Sequence, residues 1–102
     1  MRVSKHYASD RGNREQIIRL IGEGEVIASF KVNRGHVGGP EAHLITNTGI
    51  IRIYNFKTKR LITKLVARPN QIKRYYEGVG QQAPQWLVDL AYEHKKMGYH
   101  EA

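Results

Sequence analysis

Residues 42–67 read AHLITNTGIIRIYNFKTKRLITKLVA, and the reading of this stretch decides the fold. Three short apolar runs, AHLIT, IIRIYN and LITKLVA, are parted by the turn-prone NTG and by a second reversal at NFKTKR. Runs this short between such breaks read as successive hairpin strands. In the last run, alternation puts Leu61, Thr63, Leu65 and Ala67 on one face, with Ile62, Lys64, Val66 and Arg68 on the other. Upstream, EVIASFKV at 25–32 alternates in the same way, with Val26, Ala28, Phe30 and Val32 pointing one way and Ile27, Ser29 and Lys31 the other. The prediction is a sheet of four mainly antiparallel strands with short connections.

Helical signals flank the sheet. Ile17, Ile18, Leu20 and Ile21 form an apolar stripe that Ser9 or Asn13 could cap and that Gly22 and Gly24 end. Pro69 suits the first turn of a helix over PNQIKRYYEG, stopped at Gly78. Pro84 opens a last helix, PQWLVDLAYEHKKMG, with Trp86, Leu87, Leu90, Ala91 and His94 on its inner side and Gly98 at its end. The expected fold class is α+β: an N-terminal helix, the four-stranded sheet, and two C-terminal helices packed on one face. The other face would be left to carry function. The 102 residues make a single domain, 1–102, with a small core.

Charge is the informative part of the composition. Seventeen Lys and Arg against nine Asp and Glu give a net charge of +8. The distribution is uneven: between Glu41 and Glu77 there is no acidic residue, while Arg52, Lys57, Lys59, Arg60, Lys64, Arg68, Lys73 and Arg74 all fall in that interval. A field of one sign attracts polyanions and is the usual electrostatic footprint of a nucleic-acid binder. With no cysteine, a disulfide, a thiolate metal site and a thiol nucleophile are all excluded. No export signal and no stretch of membrane-span length is present, so the chain reads as soluble, cytoplasmic and without a membrane partner.

The acidic residues are scattered and none lies in the central strands, which counts against a carboxylate-based hydrolase or a two-metal nuclease. His36, Glu41 and His43 lack the helical spacing of the common zinc-hydrolase motif, and neither a metal nor another cofactor is expected. Metal-free acid/base chemistry suits the inventory better. Histidine can take a proton from a ribose 2′-hydroxyl or return one to a leaving 5′-oxygen. Arg and Lys can neutralise charge on the phosphorane oxygens. His6, His36, His43, Thr63, Lys64 and Arg68 supply such groups.

Two segments together resemble a known group. RVSKHYASDR at 2–11, followed by REQIIRLIGEGEVI, is similar to the opening of small RelE-like domains, and GIIRIYNFKTKRLITKL resembles their final hairpin. The likeness covers residues 2–68. The wider assemblage of barnase-like, EndoU-like, colicin tRNase-like and RelE-like domains consists of metal-independent ribonucleases, many of them bacterial toxins or phage-encoded effectors. The resemblance implies an endoribonuclease that cleaves RNA by 2′-hydroxyl attack. It would place His6, Arg11 and Thr63 in the catalytic set, with His43 and His36 as looser counterparts. The expected site is therefore His6, Arg11, His43 and Thr63 for catalysis, with Lys5, Arg14, His36, Arg52, Lys64 and Arg68 holding the substrate. A toxin of this kind would have an acidic protein inhibitor. The alternatives from the residues alone are a non-catalytic nucleic-acid-binding module, with Tyr54 and Phe56 stacking on bases, or an accessory protein that binds an acidic partner.

Overall fold

Reversals at residues 47–49 and 56–60 fold the central stretch back on itself twice and generate three consecutive strands. The structure, a computed structural model, describes residues 14–33 and 39–96. Within them, helix α1 (14–21) precedes strands β1 (Val26–Val32), β2 (Glu41–Thr46), β3 (Ile50–Asn55) and β4 (Leu61–Val66). Helices α2 (Pro69–Gly78) and α3 (Gln85–Lys96) follow. The strands form one antiparallel sheet in the order β1-β2-β3-β4. The predicted α+β architecture is thus present.

Pairing sets which side chains share a face. Phe30 lies opposite His43, His43 opposite Ile53, and Ile53 opposite Thr63, while Ala28, Ile45, Ile51 and Leu65 form the parallel row. These rows meet α2 and α3 in the main core, where Ile45, Ile51, Ile72, Leu87 and Ala91 are completely buried. The opposite face is not wholly open. Ile50 and Val66, paired at one end of the hairpin, pack there with Ile18 and with Ile17 and Ile21 of α1. The sheet therefore carries two helices on one side and a third over one end of the other. Among the described residues nothing covers the remainder, towards the β3–β4 turn, and this is its open surface.

Three expectations need correction. Val26 does not join Ala28 and Phe30 in the core: the register shifts between Val26 and Ala28, and Val26 and Ile27 are exposed alike. A second shift, with Thr63 opposite Ile53 but Leu61 opposite Tyr54, makes Ile62 an extra residue and leaves both Leu61 and Ile62 exposed. Trp86 is 52% exposed, because the buried stripe of α3 runs through Leu87, Val88, Ala91 and His94 and leaves Trp86 at its margin.

The start of α2 and the end of α3 follow ordinary helix-end chemistry. Pro69 occupies the first helical position of α2, and the Gln71 side chain accepts the Arg68 N–H at 2.9 Å. His94, Lys95 and Lys96 fill the last turn of α3, where positive charge offsets the exposed carbonyls. Among the described residues no helix is long and apolar enough to cross a membrane.

Truncation of the two neighbouring residues of α3 should separate core from margin. Leu87→Ala is expected to cost about 3 kcal/mol, and Trp86→Ala less than about 1 kcal/mol. Urea unfolding midpoints of the two variants measure the difference.

Candidate nucleic-acid interface

The open part of the sheet is shaped by the loop that leads into it. At the β2–β3 reversal, Thr48 Oγ1 donates to the Gly22 carbonyl at 2.7 Å. Asn47 and Glu25 exchange two bonds, with the Asn47 N–H on the Glu25 carbonyl and the Glu25 N–H on Asn47 Oδ1, each at 2.9 Å. The loop passes so close that a Cβ at Gly24 would lie 2.2 Å from Asn47 Oδ1, and Gly24 itself has φ +70°. This clamp presents Glu23 to the sheet. Its Oε1 accepts from Arg52 Nη2 at 2.9 Å and Nε at 3.1 Å, and its Oε2 accepts from Lys64 Nζ.

Arg52 and Lys64 are direct cross-strand partners. Like charges in that position destabilise a sheet, and Glu23 removes the conflict. The Lys64 hydrogen bond is the largest cause holding the Glu23 carboxyl below its ordinary 4.5; partial burial opposes it, and the charges of Lys64 and Arg52 add to the lowering. Arg52 and Lys64, two of the expected substrate-binding cations, are thus on the open face and already joined to a carboxylate from outside the hairpin.

The β3–β4 turn gives a different picture. Asn55 Oδ1 accepts the N–H groups of Lys57 and Thr58, each at 2.9 Å, and the Asn55 carbonyl accepts from Lys59 N–H at 2.8 Å. Lys59 takes a left-handed φ of 66°, a conformation that costs a side chain with a Cβ roughly 1–2 kcal/mol. The Phe56 N–H bonds to the Pro40 carbonyl at 3.0 Å, which extends the ladder and fixes the root of the turn. The Nζ atoms of Lys31 and Lys59 lie 4.5 Å and 4.6 Å from the centroid of the Phe56 ring. Lys57, Lys59, Arg60 and Lys31 are all exposed. Among the described residues none of the four forms an ion pair. Tyr54 stands in the same row as Ala42 and Lys31, so this side of the sheet carries an aromatic pair, Tyr54 and Phe56, among cations.

His43 lies on the other face. It is completely buried beneath α2, with Nδ1 2.5 Å from the Tyr75 hydroxyl and Nε2 2.9 Å from Glu41 Oε1. Both contacts are satisfied when Tyr75 donates to Nδ1 and the Nε2–H donates to the carboxylate. Tyr75 in turn stacks on Phe30, with ring centroids 5.2 Å apart. Thr63 shares His43's face but lies beyond Ile53, two strand spacings or about 10 Å away. One phosphate cannot touch both.

The expected site is therefore divided by the sheet. His43 and Thr63 are on the helix-covered side; Arg52 and Lys64 are on the open side; Arg68 is exposed at the start of α2 and Arg14 half-buried at the start of the described part of α1. Lys5, His6, Arg11 and His36 lie outside the described residues. Among the described residues no group of three or more metal-ligating side chains is gathered. Sequence reading missed Glu23, Lys31 and Tyr75 as participants. Alternation had already put Lys31 on the face away from Phe30, and its pairing opposite Ala42 was the missing step. Comparison with protein-family models, with curated proteins and with solved structures returns no match.

A last histidine contributes to pH behaviour. His94 is buried in α3 against Gly49, where an added Cβ would meet its Cε1 at 3.1 Å. Burial pushes its pKa below 6.5, with Glu93 partly opposing. The unfolded chain then binds a proton that the folded chain refuses, so stability falls as pH drops below the unfolded value of about 6.5. The Glu23 contribution has the same sign at lower pH: it is full above about 4.5 and is lost as pH falls through the depressed folded value. Denaturant midpoints should therefore decline from about pH 7 to pH 5, and His94→Gln should flatten that decline. At neutral pH, Glu23→Gln should cost about 1 kcal/mol, since the pairs are partly exposed and screened. Gly24→Ala should cost more than that, through the left-handed backbone and the overlap with Asn47, as read by its thermal midpoint.

Proposed function

We propose that this chain is a nucleic-acid-binding domain that takes single-stranded RNA on the open end of its sheet. The carrying observation is the cluster of Lys31, Lys57, Lys59 and Arg60 around Phe56, exposed and outside any ion pair among the described residues. Cations held on an ordered turn track a phosphate backbone, and adjacent rings stack on unpaired bases without regard to sequence. Tyr54 and Phe56 are the two rings. Lysines now resting near Phe56 can move to phosphates and leave the ring to a base. An acidic protein would answer to the same charge but has no need of the rings. The cytoplasm, where RNA is met, is the setting this reading implies.

Binding is preferred to cleavage because of His43. The ribonuclease reading counts His43, a looser counterpart in the resemblance, in its catalytic set, and this ring is buried with both nitrogens engaged. Toxin- or effector-like cleavage remains the competing reading, carried by the resemblance alone.

Fluorescence anisotropy with a labelled single-stranded RNA tests the proposal. Replacing Lys57, Lys59 and Arg60 by Gln should weaken binding at least about tenfold and lower the salt slope by about 2, at ~0.7 per phosphate contact. Phe56→Ala should lose about tenfold while keeping the slope, because stacking rather than charge is removed. Lys59→Gly relieves the left-handed strain as it removes a charge, so weaker binding there cannot be put down to unfolding. Wild-type protein that fails to bind RNA, or variants that bind as well as wild type, would refute the reading. RNA cut in the presence of EDTA to 2′,3′-cyclic phosphate ends, and left whole by His6→Ala or by a His43→Ala variant that circular dichroism shows to be folded, would restore the ribonuclease.

A further inference from the structure

A second concentration of positive charge lies on the helices, which cover the face of the sheet opposite Tyr54 and Lys31. Between the start of α2 and the end of α3 runs a groove of about 340 Å³ lined by Arg68, Asn70, Gln71, Arg74, Tyr92 and Lys95. Arg68, Arg74, Tyr92 and Lys95 are exposed. Among the described residues no acidic side chain lines it. The acidic residues of the same two helices are directed elsewhere: Asp89 accepts from Gln85 Nε2 at 2.9 Å, Glu93 pairs with Lys96 at 3.5 Å, and Glu77 borders a separate hollow with Lys73. Among the described residues neither Arg74 nor Lys95 forms an ion pair.

Of Arg74 and Lys95, the needs of the fold account only for the second. Lys95, in the last turn of α3, offsets that helix's carbonyl end. Arg74 sits in the body of α2 with no such task. Arg74 and Lys95, like charges lining one groove, repel each other, and a bound anion would relieve that repulsion. The donor set suits phosphate. A guanidinium can hold two of its oxygens at once, the Asn70 amide is a further donor, and the Tyr92 ring offers a stacking surface at the rim.

We infer that this groove is a second surface for a nucleic-acid phosphate backbone, so that one copy of the domain holds two RNA segments, one on each side of the sheet. The inference rests on the RNA-binding reading for the first of them. It makes the protein a bridge between strands, or between distant parts of one strand.

The test uses the full chain, a biotinylated single-stranded RNA on beads and a second, fluorescent RNA that cannot pair with it. Wild-type protein should retain the fluorescent strand. Arg74→Glu with Lys95→Glu should reduce that retention at least about tenfold, while anisotropy affinity for one short RNA falls less than about threefold. Arg19→Glu with Lys96→Glu, an equal change of charge away from the groove, should bridge like wild type. Sedimentation should give wild type and both variants the same mass, so that a change of assembly does not mimic the effect. RNA binding without bridging, or bridging that survives the groove variant, overturns the second surface alone. No RNA binding by wild type overturns this inference and the first reading together. Poly-glutamate that binds wild type but not the groove variant, with no RNA bridged, would assign the groove to an acidic polypeptide instead.

Discussion

Arg52 and Lys64 face each other across neighbouring strands, where their repulsion would strain the hairpin at its centre, and Glu23 stands between them with one oxygen on each. That carboxylate comes from outside the sheet. It arrives because the β2–β3 turn holds the α1–β1 loop through Thr48 and Asn47, and because Gly24 lets the loop come within van der Waals range. The same loop brings α1 down onto Ile50 and Val66. One small set of polar contacts thus fixes the helix position, the closing of one end of the sheet and the charge balance of its middle.

The consequence for function is a division among cations of the same sequence stretch. Arg52 and Lys64 serve the fold, and recruiting them to a phosphate would mean competing with a carboxylate already held below its ordinary pKa. Lys57, Lys59 and Arg60 serve no such purpose. Their turn is held by Asn55 and the backbone, so their charges can vary without loss of the hairpin. Net charge alone would weigh all five equally, whereas only the pairing geometry tells them apart.

Much of the architecture was legible from residue order, and the reason is local. Strand alternation, the NTG and NFKTKR reversals, and prolines at helix starts act over a few residues, so they survive without tertiary knowledge. The failures arise where a local rule is broken by one residue. The shift before Ala28 exposes Val26, and the extra Ile62 turns out both Leu61 and itself. The site was less legible than the fold because its members meet through pairing. Glu23 is 29 residues from Arg52 and 41 from Lys64, and no periodicity announces that meeting. Alternation did put Thr63 and Lys64 on opposite faces, and the register keeps them there.

His43 shows why a residue's chemistry and its use must be argued separately. Imidazole flanked by a carboxylate and a hydroxyl has the composition of an acid/base relay. Here the three groups tie β2 to α2 inside the core, with Tyr75 also stacked on Phe30. A buried polar chain of this kind must be fully satisfied or it destabilises the core, and the ring's two nitrogens meet that demand with the two partners present. Proton transfer to a substrate would require breaking one of these bonds and admitting a phosphate beneath a helix. The open side of the sheet needs only that lysine side chains swing off Phe56, and its half-buried rings and exposed cations supply what a single strand requires.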